Sequence, residues 1–286
     1  MIETIIQGLL LGGLFCLFAL GLSLMFGVMR LTNIAQGDLI VLGGFLMIAL
    51  SEIFNGNIFI VALVAIPVSF LIGYLVQKFI LNRTLGRDPL PSLVVTFGLS
   101  IVIQNALQEI FSADPRSLDS NGLNTQSIQI GEHMAVGTLP LIIFIVAVVS
   151  TFGMQFLFNK TSLGRAFRAV SDDKETAELM GLNSKKIYSI ATGIAFSLIT
   201  LAGMFQCMRT TVAPSDGPLL LIFAFESVII GGMGSFWGTF VGAMVLGITQ
   251  QIGFTYDPAW GIWFGHLVFL SVLIVKPSGL FPKTRG

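Results

Sequence analysis

The chain has 286 residues, of which 54% are hydrophobic and 10% charged, and its basic and acidic residues, 15 of each, cancel to a formal net charge of zero. Soluble domains carry about 25% charged residues, so most of this chain belongs in membrane spans rather than soluble domains. Zero net charge gives no nucleic-acid footprint. Cys16 and Cys207 lie far apart in apolar surroundings without metal-ligand spacing, which argues against a disulfide or a metal site.

The apolar run 4–29 reads as a retained first span. It has neither a basic start nor a small-residue cleavage pattern, so it is not a signal peptide. Arg30 stops it. A second span, 33–54, opens on the polar run Asn33-Ile34-Ala35-Gln36-Gly37-Asp38, and the turn Asn55-Gly56-Asn57 separates it from a third, 58–80, with Pro67 as a kink site. A basic connection, 82–90, leads to a fourth span, 91–112, carrying Gln104 and Asn105. The polar segment 113–138 holds short alternating pieces such as Ser127-Ile128-Gln129-Ile130 and a turn at Gly131, the pattern of a small hairpin. A fifth span, 139–158, precedes the polar loop 159–186, and a sixth covers 187–208. After the turn Pro214–Pro218, residues 219–254 split at Gly231-Gly232-Met233-Gly234-Ser235 into a short seventh span and an eighth; a ninth, 259–276, ends at Lys276-Pro277.

The expected fold is an all-α integral membrane protein, one transmembrane domain over 1–286, with about 8–9 transmembrane helices, some Gly-broken or re-entrant. Gly8-x-x-x-Gly12, Gly238-x-x-x-Gly242 and Gly261-x-x-x-Gly265 let helices approach closely, and packing within one chain is the expectation. The Gly-rich breaks between Phe26 and Gly44 and between Ile230 and Gly247 hint at an inverted repeat.

Basic residues cluster: Lys78, Arg83 and Arg87 at the 82–90 loop, Lys160, Arg165, Arg168, Lys174, Lys185 and Lys186 in 159–186, and Lys276, Lys283 and Arg285 in the tail. The positive-inside rule puts these three segments in the cytoplasm, with 113–138 external; nine spans then place the N-terminus outside.

The loop 159–186 is the most charged stretch. Gly164 to Ala169 is basic through Arg165 and Arg168; Asp172-Asp173-Lys174-Glu175 then opens a short helix that Gly181 closes. Asp172 is the expected N-cap, with Glu175 three residues on, and Gly181 suits a left-handed C-cap before Asn183. Thr176, Ala177 and Met180 are expected to share one small apolar face. A helix of about two turns does not persist alone in water. It docks on its own membrane domain or on a partner, which for a transporter is a soluble engine.

Intramembrane polar groups are functional suspects. Asn33, Gln36 and Asp38 either line a pathway at a broken helix or cap the second span from the interface. Gln104 and Asn105 either line a path or bridge helices by hydrogen bonds. Glu226 reads as a buried neutral acid, and Arg209 as a snorkelling residue. No GxxxxGK[ST] loop, catalytic triad or HExxH motif is present, so the chain is not expected to be an enzyme and any ATPase is a separate subunit. The sparse polar set argues against an ion-coupled secondary carrier, which stays the alternative from another class.

Several segments together resemble the membrane permease subunits of bacterial ABC importers for branched-chain amino acids. Asn33-Ile34-Ala35-Gln36-Gly37-Asp38 with Leu42-Gly43-Gly44 is similar to the segment opening that family's second span. Gly164-Arg165-Ala166 through Arg168-Ala169 to Gly181-Leu182-Asn183 resembles its cytoplasmic loop, within which Glu175-Thr176-Ala177 through Gly181 is similar to the coupling-helix element, with Thr where Ala is usual. Ile230-Gly231-Gly232-Met233-Gly234-Ser235-Phe236-Trp237-Gly238 and Lys276-Pro277-Ser278-Gly279-Leu280-Phe281 complete the match. The resemblance, to the shorter of two permease types, implies a second related permease, two cytoplasmic ATPase subunits and a periplasmic binding protein as partners. It also implies the bacterial inner membrane as location, and ATP and Mg bound in the ATPases with no cofactor in this chain. The implied ATPase-coupling set is Arg165, Arg168, Asp172, Glu175, Thr176, Ala177, Met180 and Gly181. Related permeases carry urea or short amides, which stays an alternative cargo.

Overall fold

A computed structural model describes residues 1–54, 56–86, 89–120, 122–129 and 135–281. Asn55, Arg87, Ile130, Gly131, Lys283 and Arg285, used in the readings above, lie outside the described residues. In chain order the elements are α1 (Ile2–Met29), α2 (Gln36–Ile53), α3 (Ile58–Phe79), α4 (Leu90–Phe111), β1 (Ser127–Gln129), β2 (Ala135–Gly137), α5 (Thr138–Lys160), α6 (Ser162–Asp172), α7 (Lys174–Leu179), α8 (Ser184–Arg209), α9 (Gly217–Gly231), α10 (Phe236–Tyr256) and α11 (Trp260–Val275). The two strands pair antiparallel, Ser127 opposite Gly137, as the expected hairpin.

Each expected span has its helix. By length and composition α1 to α5 and α8 can cross a membrane; α9 and α10 qualify only as a pair bent by 117° at Gly232–Ser235, and α11 is shorter. The 15 residues of α9 reach only about 22 Å, less than the ~30 Å hydrocarbon core. The protein is therefore a multi-pass, all-α membrane protein with a glycine-broken element in its last third.

α1 is the centre of the bundle. It is apolar all round, and 89% of its spanning window is buried against 22% for α3 and 28% each for α4 and α5, which present apolar faces to lipid. Helices close on it at small residues: Gly8 and Gly12 meet Ala243 to Ile248 of α10, and Gly21 meets Ala195 and Ile199 of α8. The small-residue pairs at 238/242 and 261/265 likewise pack inside the chain, on α9 and on α10. On the other flank α3 and α8 are joined by buried polar pairs, Gln77–Thr192 at 2.7 Å and Ser69–Thr200 at 2.6 Å.

The packing pairs recur. α1 packs on α10 as α8 packs on α3; α9 packs on α1 as α2 packs on α8; α2 meets α3 and α4 as α9 meets α10 and α11. Exchanging α1–α4 with α8–α11 reproduces these pairs, although α10 and α11 pack together where α3 and α4 do not. The two halves run oppositely, because α1 ends beside α6, where α8 begins. This is an inverted repeat. The sequence paired the wrong segments, however: the counterpart of the 30–35 break is 210–216, which is not Gly-rich. Glycine marks close packing as well as breaks, and Gly43 and Gly44 serve contacts with Thr200, Gly203 and Cys207 on α8.

Both breaks double back into the bundle. The chain leaves α1 at Met29, yet Gln36, the first residue of α2, donates from Nε2 to the Phe18 carbonyl at 2.9 Å, halfway along α1. Across from it α9 begins at Gly217, after the 210–216 segment has bridged Val212 to Arg116. α2 and α9 therefore start inside the protein and run to opposite ends.

Candidate translocation and coupling sites

The N-termini of α2 and α9 meet. A Cβ on Gly37 would lie 1.8 Å from the Gly217 carbonyl oxygen, so only glycine fits there, and one on Gly217 would lie 1.8 Å from Asp38 Oδ1, so a side chain there would have to displace the carboxylate. Asp38 is 2% exposed. It does not stay at an interface, as one reading of the sequence had it, but sits in the first turn of α2 against the first residue of α9, where both helix dipoles present their positive ends. Ser100 donates to Oδ2 at 2.5 Å and Gln104 donates from Nε2 to Oδ1 at 2.8 Å. Four residues apart on α4, the two donors share a face. Gln104 thus bridges α4 to α2. Asn105 points away, is exposed, and donates to its own Ile101 carbonyl. Asn33 does not cap α2, whose N-cap is Ala35. Its Oδ1 accepts from Ala35 N at 3.1 Å and its Nδ2 reaches Met25 Sδ, turning the chain instead.

Of the six suspected pathway residues, then, Gln36, Asp38 and Gln104 converge with Asn33 alongside. Asn105 and Glu226 do not join them. Glu226, on α9 and 2% exposed, pairs through Oε1 with His266 Nδ1 of α11, and its Oε2 has no partner among the described residues. His266 and Ser100 had no role in the sequence reading. Ser100 was legible as the residue one turn before Gln104; His266 needed the α9–α11 packing. Among the described residues no cluster of three or more potential metal ligands forms.

The second feature lies at the other end of α1. The basic stretch is helix α6, whose buried Gly164, Phe167 and Val170 pack on the end of α5, with Phe158 against Phe167. Ser171 donates to the Gly27 carbonyl at 2.8 Å, tying α6 to the end of α1. Arg168 donates to the Phe158 carbonyl and so serves α5, while Arg165 is exposed. Asp172 is the last residue of α6 rather than a cap. Asp173, in extended backbone, caps α7 instead, accepting Thr176 N at 3.1 Å and the Thr176 hydroxyl at 2.6 Å. Those bonds hold the Asp173 carboxyl below the usual aspartate range. Gly181 at φ 89 closes the helix, with Leu182 N bonded to the Ala177 carbonyl at 3.1 Å.

The expected face of Thr176, Ala177 and Met180 is divided. Ala177 turns inward at 5% exposure, while Met180 is 81% and Leu179 87% exposed; Glu175 and Thr176 are exposed as well. The outward apolar pair is Leu179–Met180, since a helix this short turns by more than half a revolution between Ala177 and Leu179. At the same end, Leu280 N and Phe281 N bond the Ile230 and Gly231 carbonyls at 2.9 Å, so the chain's last described residues close the α9–α10 break.

A family model described as "Branched-chain amino acid transport system / permease component" matches residues 4–276. This chain belongs to that family. Among its relatives, the high-affinity branched-chain amino acid transport system permease protein BraD of Pseudomonas aeruginosa is 27% identical over 298 residues, covering 99% of this chain and 96% of BraD. LivH of Escherichia coli K12, also a high-affinity branched-chain amino acid permease protein, is 23% identical, covering 99% of this chain and 96% of its own. LivM from the same organism is 23% identical but is covered over only 68% of its length. The fold is also that of a solved assembly, PsaBC from Streptococcus pneumoniae in complex with Fab, with a TM-score of 0.52 at 13% identity, covering 95% of this chain and 91% of that one.

Proposed function

We propose that the chain is one membrane subunit of an ABC importer that passes branched-chain amino acids from a periplasmic binding protein to the cytoplasm of a bacterial cell. Family membership and the names of BraD and LivH support the cargo, and full-length coverage supports the shorter permease type. Its partners are a second related permease, two ATPase subunits that bind ATP and Mg, and the binding protein. The chain is a single permease domain, 1–286, in the inner membrane. The 82–90 and 159–186 loops and the C-terminus face the cytoplasm and 113–138 faces outward; the basic residues at the α6 end support that side.

The observation that carries the reading is the build of α6–α7. A six-residue helix, capped by Asp173, is fixed to the bundle through buried Ala177 and the bond from Ser184 of α8 to Glu178, next to α6 whose Ser171 bonds Gly27, and it holds Leu179 and Met180 out at 87% and 81% exposure. A short rigid knob with an unpartnered apolar tip suits an ATPase groove. Motion delivered there reaches the end of α1 through Ser171, and from α1 reaches the meeting of α2 and α9. The test is co-purification from native membranes. Wild type brings down an ATPase and a second permease, and Met180→Glu with Leu179→Glu loses the ATPase while keeping the permease. A chain that comes down alone in mild detergent contradicts the proposal.

A further inference from the structure

On the side of the α2–α9 meeting away from α6, a cavity of about 160 Å³ opens between α1, α8, α9, α10 and α11. Its apolar wall includes Leu14, Phe15, Phe18 and Phe223, and its polar groups include Arg209 and Gln250. Arg209 also borders a smaller chamber of about 60 Å³ reached past Gln7 and Gln251. Among the described residues nothing pairs with the Arg209 guanidinium, which is charged at any working pH. Gln250 is 2% exposed and its Nε2 has no hydrogen-bond partner among the described residues. A buried donor left unmade is costly. Arg209 is exposed, so its guanidinium is open to water and to an incoming anion, while Gln250 Nε2 is the buried donor left unmade at the chamber. Phe18, part of the same wall, holds Gln36 through its carbonyl.

We propose that this chamber is a binding site in the permease itself for the aliphatic amino acid in transit, with its carboxylate on Arg209 and the Gln250 amide and its side chain among Leu14, Phe15, Phe18 and Phe223. This rests on the reading under Proposed function and adds the site to it. Guanidinium is the side chain best suited to a carboxylate, through two parallel N–H donors. The volume matches a Leu/Ile/Phe-lined cavity of ~150 Å³ that takes up benzene, so a branched aliphatic group fits. The site adjoins the Gln36–Gly37 and Gly217 meeting through Phe18, whose carbonyl holds Gln36, and Leu220, one turn into α9.

The test is binding of methyl-labelled leucine to the purified full-length chain in nanodiscs, followed by NMR without ATP, beside ATP-driven uptake by the assembled transporter. Wild type binds leucine and binds leucinamide at least tenfold more weakly; Arg209→Gln and Gln250→Leu each weaken leucine binding by about tenfold or more, and raise the uptake KM. Should Arg209→Gln fail to fold, Leu14→Trp, which fills the chamber, abolishes binding in its place. If Arg209→Gln and Gln250→Leu import leucine with the wild-type KM, the site is refuted while the importer stands. If leucinamide binds as well as leucine, the carboxylate role is refuted. If only phospholipid occupies the chamber, the proposal falls.

Discussion

Replacing Gly37 by Ala tests the contact between the two buried helix starts. The added Cβ would sit 1.8 Å from the Gly217 carbonyl oxygen, 2.7 Å from its carbon and 2.7 Å from Leu221 N. A close carbon–oxygen contact lies at about 3.3 Å, so α2 and α9 must separate by roughly 1.5 Å there. All three obstacles are backbone, and no side chain can swing aside. Overpacking costs about 1–3 kcal/mol where side chains yield, so a loss of at least about 3 kcal/mol is expected here. Gly153→Ala on α5 is the control: nothing lies within 4 Å of its Cβ, and the gain in helix propensity is about 0.5–1 kcal/mol. Thermal unfolding of both purified variants in one detergent, followed by tryptophan fluorescence, gives the comparison. Gly37→Ala melts well below wild type and Gly153→Ala at or slightly above it. Equal melting for the two would refute the close crossing of α2 and α9. Gly217→Ala should be milder in melting, because its Cβ meets the Asp38 side chain, which can move if it gives up the bonds from Ser100 and Gln104.

Other outcomes follow from the same geometry. Ala177→Glu places a charge at a 5% exposed position, so it should lower yield and melting temperature rather than merely undock a partner; unchanged melting would move Ala177 back to the docking face. His266→Ala removes the partner of buried Glu226 and should cost about 1–3 kcal/mol, recovered by adding Glu226→Leu; a neutral His266→Ala would show the pair to be idle. The Asp173 carboxyl is depressed by the Thr176 hydroxyl and backbone N–H. Its capping contribution is therefore full above the unfolded value near 3.8 and fades as pH falls through the lower folded value. Thr176→Val should shrink that acid window, read as amide-exchange protection of α7 against pH.

The helices were legible because apolar runs of about twenty residues have few alternatives in a membrane. The break at Gly231–Ser235, the glycine cap at Gly181 and the hairpin at 127–137 were equally plain, since each rests on local backbone chemistry. What escaped was set by tertiary packing. Asp173 took the cap from Asp172 because α6 continues through Asp172, and a helical reading of Gly164–Val170 required seeing Phe167 and Val170 as one buried face. The sequence left Asp38 open between a pathway and the interface because its depth depends on residues 30–35 folding back along α1. The symmetry was sensed from glycines but mispaired, because the matching break at 210–216 has no glycine.

The most direct measurement is uptake of labelled leucine into proteoliposomes holding the chain with its native partner subunits and binding protein, comparing wild type with the Leu179→Glu/Met180→Glu double variant. The account predicts uptake that needs ATP inside the ATPase compartment, survives an uncoupler, and is lost in the double variant although that protein melts like wild type. Uptake without ATP that an uncoupler abolishes, with the double variant as active as wild type, would contradict it.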